Sequence, residues 1–183
     1  MCPQADKKPV DMKKTFLYFI LAALLLLVLA PIMIFIHEMG HVIAILLLGG
    51  EVTGFHISWL SGSVTYNGIE SARALFLVHL SGVLANMIVG AALIFHVWRY
   101  EGHPFVEALS LVWGIVMFLL DFVNYTIYDI FGDHGGDFDK IYETYPMAVP
   151  VFIVVDIVLI ILIIILLTRK EFWRGIQLPR KTV

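Results

Sequence analysis

Long apolar runs separated by short polar ones set the pattern of this chain. Four runs stand out: about Thr15 to Leu48, Ala72 to Trp98, Phe105 to Tyr128 and Met147 to Thr168. A membrane-spanning helix needs about 20 apolar residues, so each of the last three predicts one span. The first is too long for one straight span and contains Pro31. It predicts either one long helix bent at that proline or two helices broken there. After it the pattern changes. Gly49-Gly50 ends the helix, and Val52, Phe55, Ile57, Trp59, Val64 and Tyr66 sit among Thr, Ser and Gly, with Ser61-Gly62 as a turn signal. That alternation predicts a short β-hairpin at the membrane surface. The expected fold class is an all-α membrane protein, a bundle of about four transmembrane helices with a short β-hairpin in the loop after the first. No repeat or low-complexity segment interrupts it.

Charge chooses between the two readings of the first run. With four spans, one side collects Lys7, Lys8, Lys13, Lys14, Arg99, Arg169, Lys170, Arg174, Arg180 and Lys181. The other side holds segments 49–71 and 129–146, with Glu51, Glu70, Asp129, Asp133, Asp137, Asp139 and Glu143 against Lys140, and Arg73 at its edge. Basic residues gather in cytoplasmic loops, so four spans with both termini cytoplasmic are expected. Five would put the basic C-terminus outside. The expected organisation is a polar cytoplasmic N-terminus (1–14), a membrane-embedded domain (15–169) and a basic cytoplasmic tail (170–183). The lysines before the first run resemble a signal-peptide start, but the apolar stretch from Phe16 to Ile36 is too long for one and no small-residue cleavage site follows. It reads as a retained span of a multi-pass protein, in the cell membrane.

Composition agrees with this picture and narrows it. The chain is 60% hydrophobic and 15% charged over 183 residues, with a mean hydropathy of +0.91. Soluble domains are usually about half apolar or less. A net charge of −3 gives no case for a nucleic-acid partner. The single cysteine, Cys2, excludes an intrachain disulfide framework and a cysteine-based zinc site.

The chemistry-bearing motif lies near the end of the first run. His37-Glu38-Met39-Gly40-His41 fits H-E-x-x-H. Residues i and i+4 share a helix face, so both imidazoles can reach one metal ion. Glu38, one position round, can take a proton from water activated by that metal. Chance, or a buried polar cluster, is the plain alternative, but three such residues are costly inside an apolar run. Two histidines leave a catalytic zinc one protein ligand short. The acidic segment from Gly132 to Lys140, on the same side by charge, is the obvious donor, since its glycines let the backbone turn a carboxylate back towards the membrane.

These residues resemble the site-2 protease family of intramembrane zinc metalloproteases, especially its compact bacterial and archaeal members. The likeness covers about residues 15 to 145. It rests on the H-E-x-x-H motif followed by Gly49-Gly50, on Ser81-Gly82-Val83-Leu84-Ala85-Asn86 as a counterpart of the family's Gly-and-Asn motif, and on a glycine-bearing Asp segment before the last span. The resemblance implies one zinc ion per chain, held by His37, His41 and an Asp, with Glu38 as catalytic base. It favours Asp137, which keeps a basic residue three on and an apolar residue four on, with Asp133 as the alternative. The chain departs from the family in lacking two glycines after Asp137 and an Asn-x-x-Pro run before it. Asn124 is the nearest counterpart of that run's substrate-positioning Asn.

Other polar residues fall inside the runs. Asp121, Asn124, Tyr125 and Tyr128 share one helix face by 3-4 spacing. Asp121 is a rival ligand, an orienting partner for a ligating His, or part of a structural network. Gly82, Asn86 and Gly90 recur every four residues, a pattern that lets helices pack closely, with Asn86 as interhelical glue or a site residue. His79 reads first as a packing residue, with an approach to the site as the second reading, and Asp156 stands alone in the fourth run. The resulting expectation is a zinc metalloendopeptidase acting on transmembrane or membrane-associated proteins within the lipid bilayer. Its rivals are an inactive protease-like scaffold and a metal or ion transporter.

Overall fold

A computed structural model describes residues 12–59, 61–100, 103–120, 122 and 136–168. Helix α1 runs Met12–Leu47, strands β1 and β2 span Glu51–Ile57 and Gly62–Asn67, and α2 spans Ala72–Arg99. Helix α3, Pro104–Ile115, continues into a π-helical turn, Val116–Leu120. Helices α4 and α5 span Asp137–Thr144 and Ala148–Thr168. The structure is mostly helical, as the apolar runs predict.

Helix α1 is continuous over 36 residues with Pro31 inside it, so the first run is one helix and not two. Its length is about 54 Å at 1.5 Å per residue. Gly49, at φ +83°, closes it in a left-handed turn that side chains with a Cβ rarely adopt. The Gly50 N–H then donates back to the Ile45 carbonyl at 2.9 Å, satisfying an end-of-helix acceptor.

Among the described residues, three helical segments are long and apolar enough to cross a membrane: Leu27–Leu47, Ala72–Arg99 and Ala148–Ile165. The third apolar run gives a shorter apolar helix, Phe105–Leu119. Its expected extension to Tyr128 is not described apart from Phe122, so the count of about four spans is not reached among the described residues. Large apolar side chains such as Leu27, Ile88 and Val154 point outward and exposed, as a lipid-facing surface requires.

Helices α1 and α2 pack closely because glycines leave room. A Cβ on Gly40 would strike the Ser81 carbonyl oxygen and lie 2.9 Å from Ala85 Cβ. Further along α2, a Cβ on Gly90 would lie 2.6 Å from the Phe118 backbone nitrogen and 2.7 Å from the Gly114 oxygen. The four-residue spacing of Gly82, Asn86 and Gly90 is thus a packing seam, as small residues in membrane helices usually are.

The strands pair antiparallel, with Val52 opposite Tyr66 and Phe55 opposite Val64, and the register shifts between Val52 and Gly54. Strand β2 alternates cleanly, turning Gly62, Val64 and Tyr66 inward. Val52, Val64 and Tyr66 pack against the buried cluster Ile45, Ile69 and Val78. The hairpin is therefore folded back onto α1 and α2. A second core joins Val83, Phe122, Phe138, Ile141 and Phe152. Phe138 is fully buried, with ring centroids 4.6 Å from Phe152 and 5.2 Å from Phe122. This stack fixes the short helix α4 against α2 and α5.

The α2–α3 seam yields a stability prediction. Gly90→Val should destabilise the protein by roughly 1–3 kcal/mol through overpacking against backbone atoms that cannot move aside. Thermal unfolding in detergent checks this; an unchanged midpoint would contradict the close approach.

Candidate metal centre

Near its C-terminal end α1 turns His37, Glu38 and His41 inward, exposed by 4%, 6% and 6%. One candidate ligand atom from each lies within 4.8 Å of the others, a grouping able to hold a metal ion. Helix α4 adds Asp137 from 100 residues away. Asp137 Oδ2 stands 3.0 Å from His37 Nε2 and 3.0 Å from His41 Nε2. Its neighbour Phe138 is the buried anchor of the aromatic stack, which explains why this carboxylate is the one delivered. Gly136 precedes it in extended conformation and starts the helix without a side chain in the way.

The hydrogen bonds settle which imidazole nitrogen of His41 is available. His41 Nδ1 lies 2.7 Å from the Val78 carbonyl oxygen, and a carbonyl only accepts, so Nδ1 carries a hydrogen. In the neutral ring Nε2 is then a lone pair. A lone pair facing a carboxylate oxygen at 3.0 Å is repulsive unless a positive centre lies between them, either a second ring proton or a metal ion. The 3.0 Å separation matches a hydrogen bond and also approaches the spacing of two ligands on one metal ion. Ligands at 2.0–2.2 Å from a tetrahedral zinc stand roughly 3.3 Å apart. Space is also provided. A Cβ on Gly82 would lie 2.5 Å from His37 Nε2 and 2.6 Å from His41 Nε2, so the missing side chain keeps the region beside both nitrogens open. The donor set and its surroundings fit a metal ion, without specifying which.

Glu38 turns towards a cavity of about 200 Å³ whose wall also includes His41, Gly62, Tyr66, His79 and Asp137. A Cβ on Gly62 would meet Glu38 Cγ and lie 2.5 Å from Oε1. The start of β2 therefore passes directly over the Glu38 carboxylate. Burial raises the Asp137 pKa, but the His37, His41 and His79 imidazoles around it outweigh that and hold the carboxyl well below its usual range. Burial, then the Asp137 charge, push the Tyr66 phenol up, so Tyr66 remains an O–H donor at neutral pH.

Of the residues singled out from sequence, His37, Glu38, His41 and Asp137 meet at one point. Asn86 is buried a turn along α2 from Gly82, outside the cavity wall. Asp121, Asn124 and the alternative ligand Asp133 lie outside the described residues, as do Tyr125 and Tyr128. Asp156 is buried in α5 at 6% exposure, away from this cavity. His79 follows the second of its two readings: it lies in the cavity wall, with Nδ1 2.9 Å from Asp137 Oδ1. Its sequence signal is its place three residues before Gly82, on the same face of α2. Tyr66 and Gly62 were legible only as parts of a hairpin. No family model, curated protein or solved structure matches this chain.

The geometry makes metal content testable by variants. The purified protein should hold about one metal ion per chain by elemental mass spectrometry, and His41→Ala and Asp137→Ala should lose it. Gly82→Ala should lose most of it with helix content retained, because the new methyl group enters the space beside both Nε2 atoms. Full metal in Gly82→Ala would refute the placement.

Proposed function

We propose that this chain is an intramembrane zinc metalloprotease of the site-2 protease type, hydrolysing peptide bonds of transmembrane or membrane-associated proteins. The observation that carries the reading is a single carboxylate oxygen of Asp137 lying 3.0 Å from both H-E-x-x-H imidazoles inside an apolar helical bundle. Two His and one carboxylate, with a Glu beside them, make a donor set that leaves a position open for reactants. The resemblance of residues 15 to 145 to that family supports the choice of zinc and of protein substrates. Four spans, with both termini cytoplasmic and the metal near the external leaflet, complete the proposed topology.

Roles follow from position. A zinc ion, when bound, supplies Lewis acidity that activates water and polarises a carbonyl. His37, His41 and Asp137 would hold it. Glu38 faces the cavity and takes the proton from the attacking water as its oxygen bonds to the carbonyl carbon. Glu38 then passes that proton to the departing amide nitrogen as the C–N bond breaks. The Tyr66 O–H, in the same wall, is a donor for charge developing on the substrate oxygen. Helical amides are already hydrogen-bonded, so a substrate helix must unwind before cleavage. Strand β2 crosses over Glu38 and can receive the unwound segment by strand addition along the edge left unpaired among the described residues.

Glu38→Gln should keep its metal and lose cleavage by at least about 10²-fold, measured in proteoliposomes on single-span model substrates carrying helix-breaking residues. Metal retained with cleavage undiminished would contradict the role of Glu38. A wild-type protein that binds metal yet cleaves none of them, under conditions that unwind the substrate, would favour an inactive scaffold. Metal flux surviving in Glu38→Gln would favour a transporter. Strand addition has its own check: a flexible linker in place of residues 51–67 should abolish cleavage with metal retained, and unchanged cleavage would exclude that step.

A further inference from the structure

Two adjacent residues of α2 face two different members of the metal site. The Val78 carbonyl accepts the His41 Nδ1 hydrogen at 2.7 Å. The next residue, His79, places Nδ1 2.9 Å from Asp137 Oδ1. His79 is 7% exposed and lies in the cavity wall. The two oxygens of Asp137 are thereby divided: Oδ2 faces His37 and His41, while Oδ1 faces His79.

We infer that His79 is a positioning residue, whose Nδ1 hydrogen holds Asp137 Oδ1 so that Oδ2 alone is presented to the metal. This rests on the metal-centre reading above and deepens it. A carboxylate can rotate about its Cβ–Cγ bond, and Asp137 sits in the first turn of a helix of only 8 residues. Phe138 anchors that helix but does not set the carboxylate's rotation. A hydrogen bond to one oxygen does. It makes the carboxylate a one-oxygen ligand and leaves room at the metal for reactants. The source of that bond matters too. Helix α2 is locked to α1 at Gly40, where the Ser81 backbone approaches. His41 and Asp137, from elements far apart in sequence, are therefore aligned by one turn of the same rigid helix. Partners of this kind typically change metal affinity 10–100-fold when removed.

The test compares His79→Leu, His79→Asn and His79→Gln in the full-length protein, using zinc with a competing chromophoric chelator and cobalt(II) as a spectroscopic probe. Asparagine can place an N–H where Nδ1 stands; glutamine reaches instead towards the Nε2 position. The Leu variant should bind zinc about 10–100-fold more weakly, with a shifted cobalt(II) visible spectrum. Asn should restore both to near wild type, and Gln should not. If Leu fails to fold, the contrast between Asn and Gln carries the result. Equal affinity and unchanged spectra in all three would overturn the assignment and leave the metal centre standing. Loss of metal in the Asn variant as complete as in Asp137→Ala would overturn it differently, by making His79 a ligand. A wild type that binds neither ion would overturn the metal centre itself and this role with it.

Discussion

Placing His37, Glu38 and His41 inside an apolar helix is the constraint on which the rest of the structure turns. Each is nearly fully buried, and ionisable groups at membrane depth are tolerated only with partners. Asp137 provides one from 100 residues away, and its own burial is tolerable only because three imidazoles surround it. The arrangement is mutual. Removing Asp137 leaves three buried imidazoles without the carboxylate they face, which costs more than the net worth of the interaction. The aromatic stack around Phe138 supplies the non-polar contacts that hold the helix carrying Asp137 where this compensation works.

Absent side chains do as much as present ones. Gly40 lets α2 approach α1 through its backbone, Gly82 keeps the space beside both Nε2 atoms, and Gly62 lets a strand pass over Glu38. The same small residues that permit close helix packing in membranes thus also shape the metal centre and its access. The hairpin closes one side of a cavity that the helices leave open. That is a reason for a β-element in an otherwise helical membrane domain.

Much of this was legible in the sequence because it is local. The i, i+4 pairing of His37 and His41 needs only a helix, and the hairpin follows from alternation between two turn signals. Asp137 was reached by resemblance. Its physical reason, the buried Phe138 next to it, depends on packing partners on other elements that no spacing rule names. Pro31 was ambiguous because a proline can bend a helix or end it, and neighbouring helices decide. Sequence leaves His79 between packing and the site because a single histidine carries no periodic signal. Its face became meaningful only when α4 was seen to lie against it. Gly62 looked like turn chemistry, and nothing local shows that its bare Cα stands over a carboxylate.

The most direct measurement is X-ray absorption spectroscopy on the zinc-loaded protein in detergent. The account predicts about one zinc per chain, with two imidazole nitrogens at about 2.0–2.1 Å and oxygen at about 2.0–2.2 Å, and no sulfur. An absence of zinc after loading, or a shell without paired imidazole scattering, would contradict it.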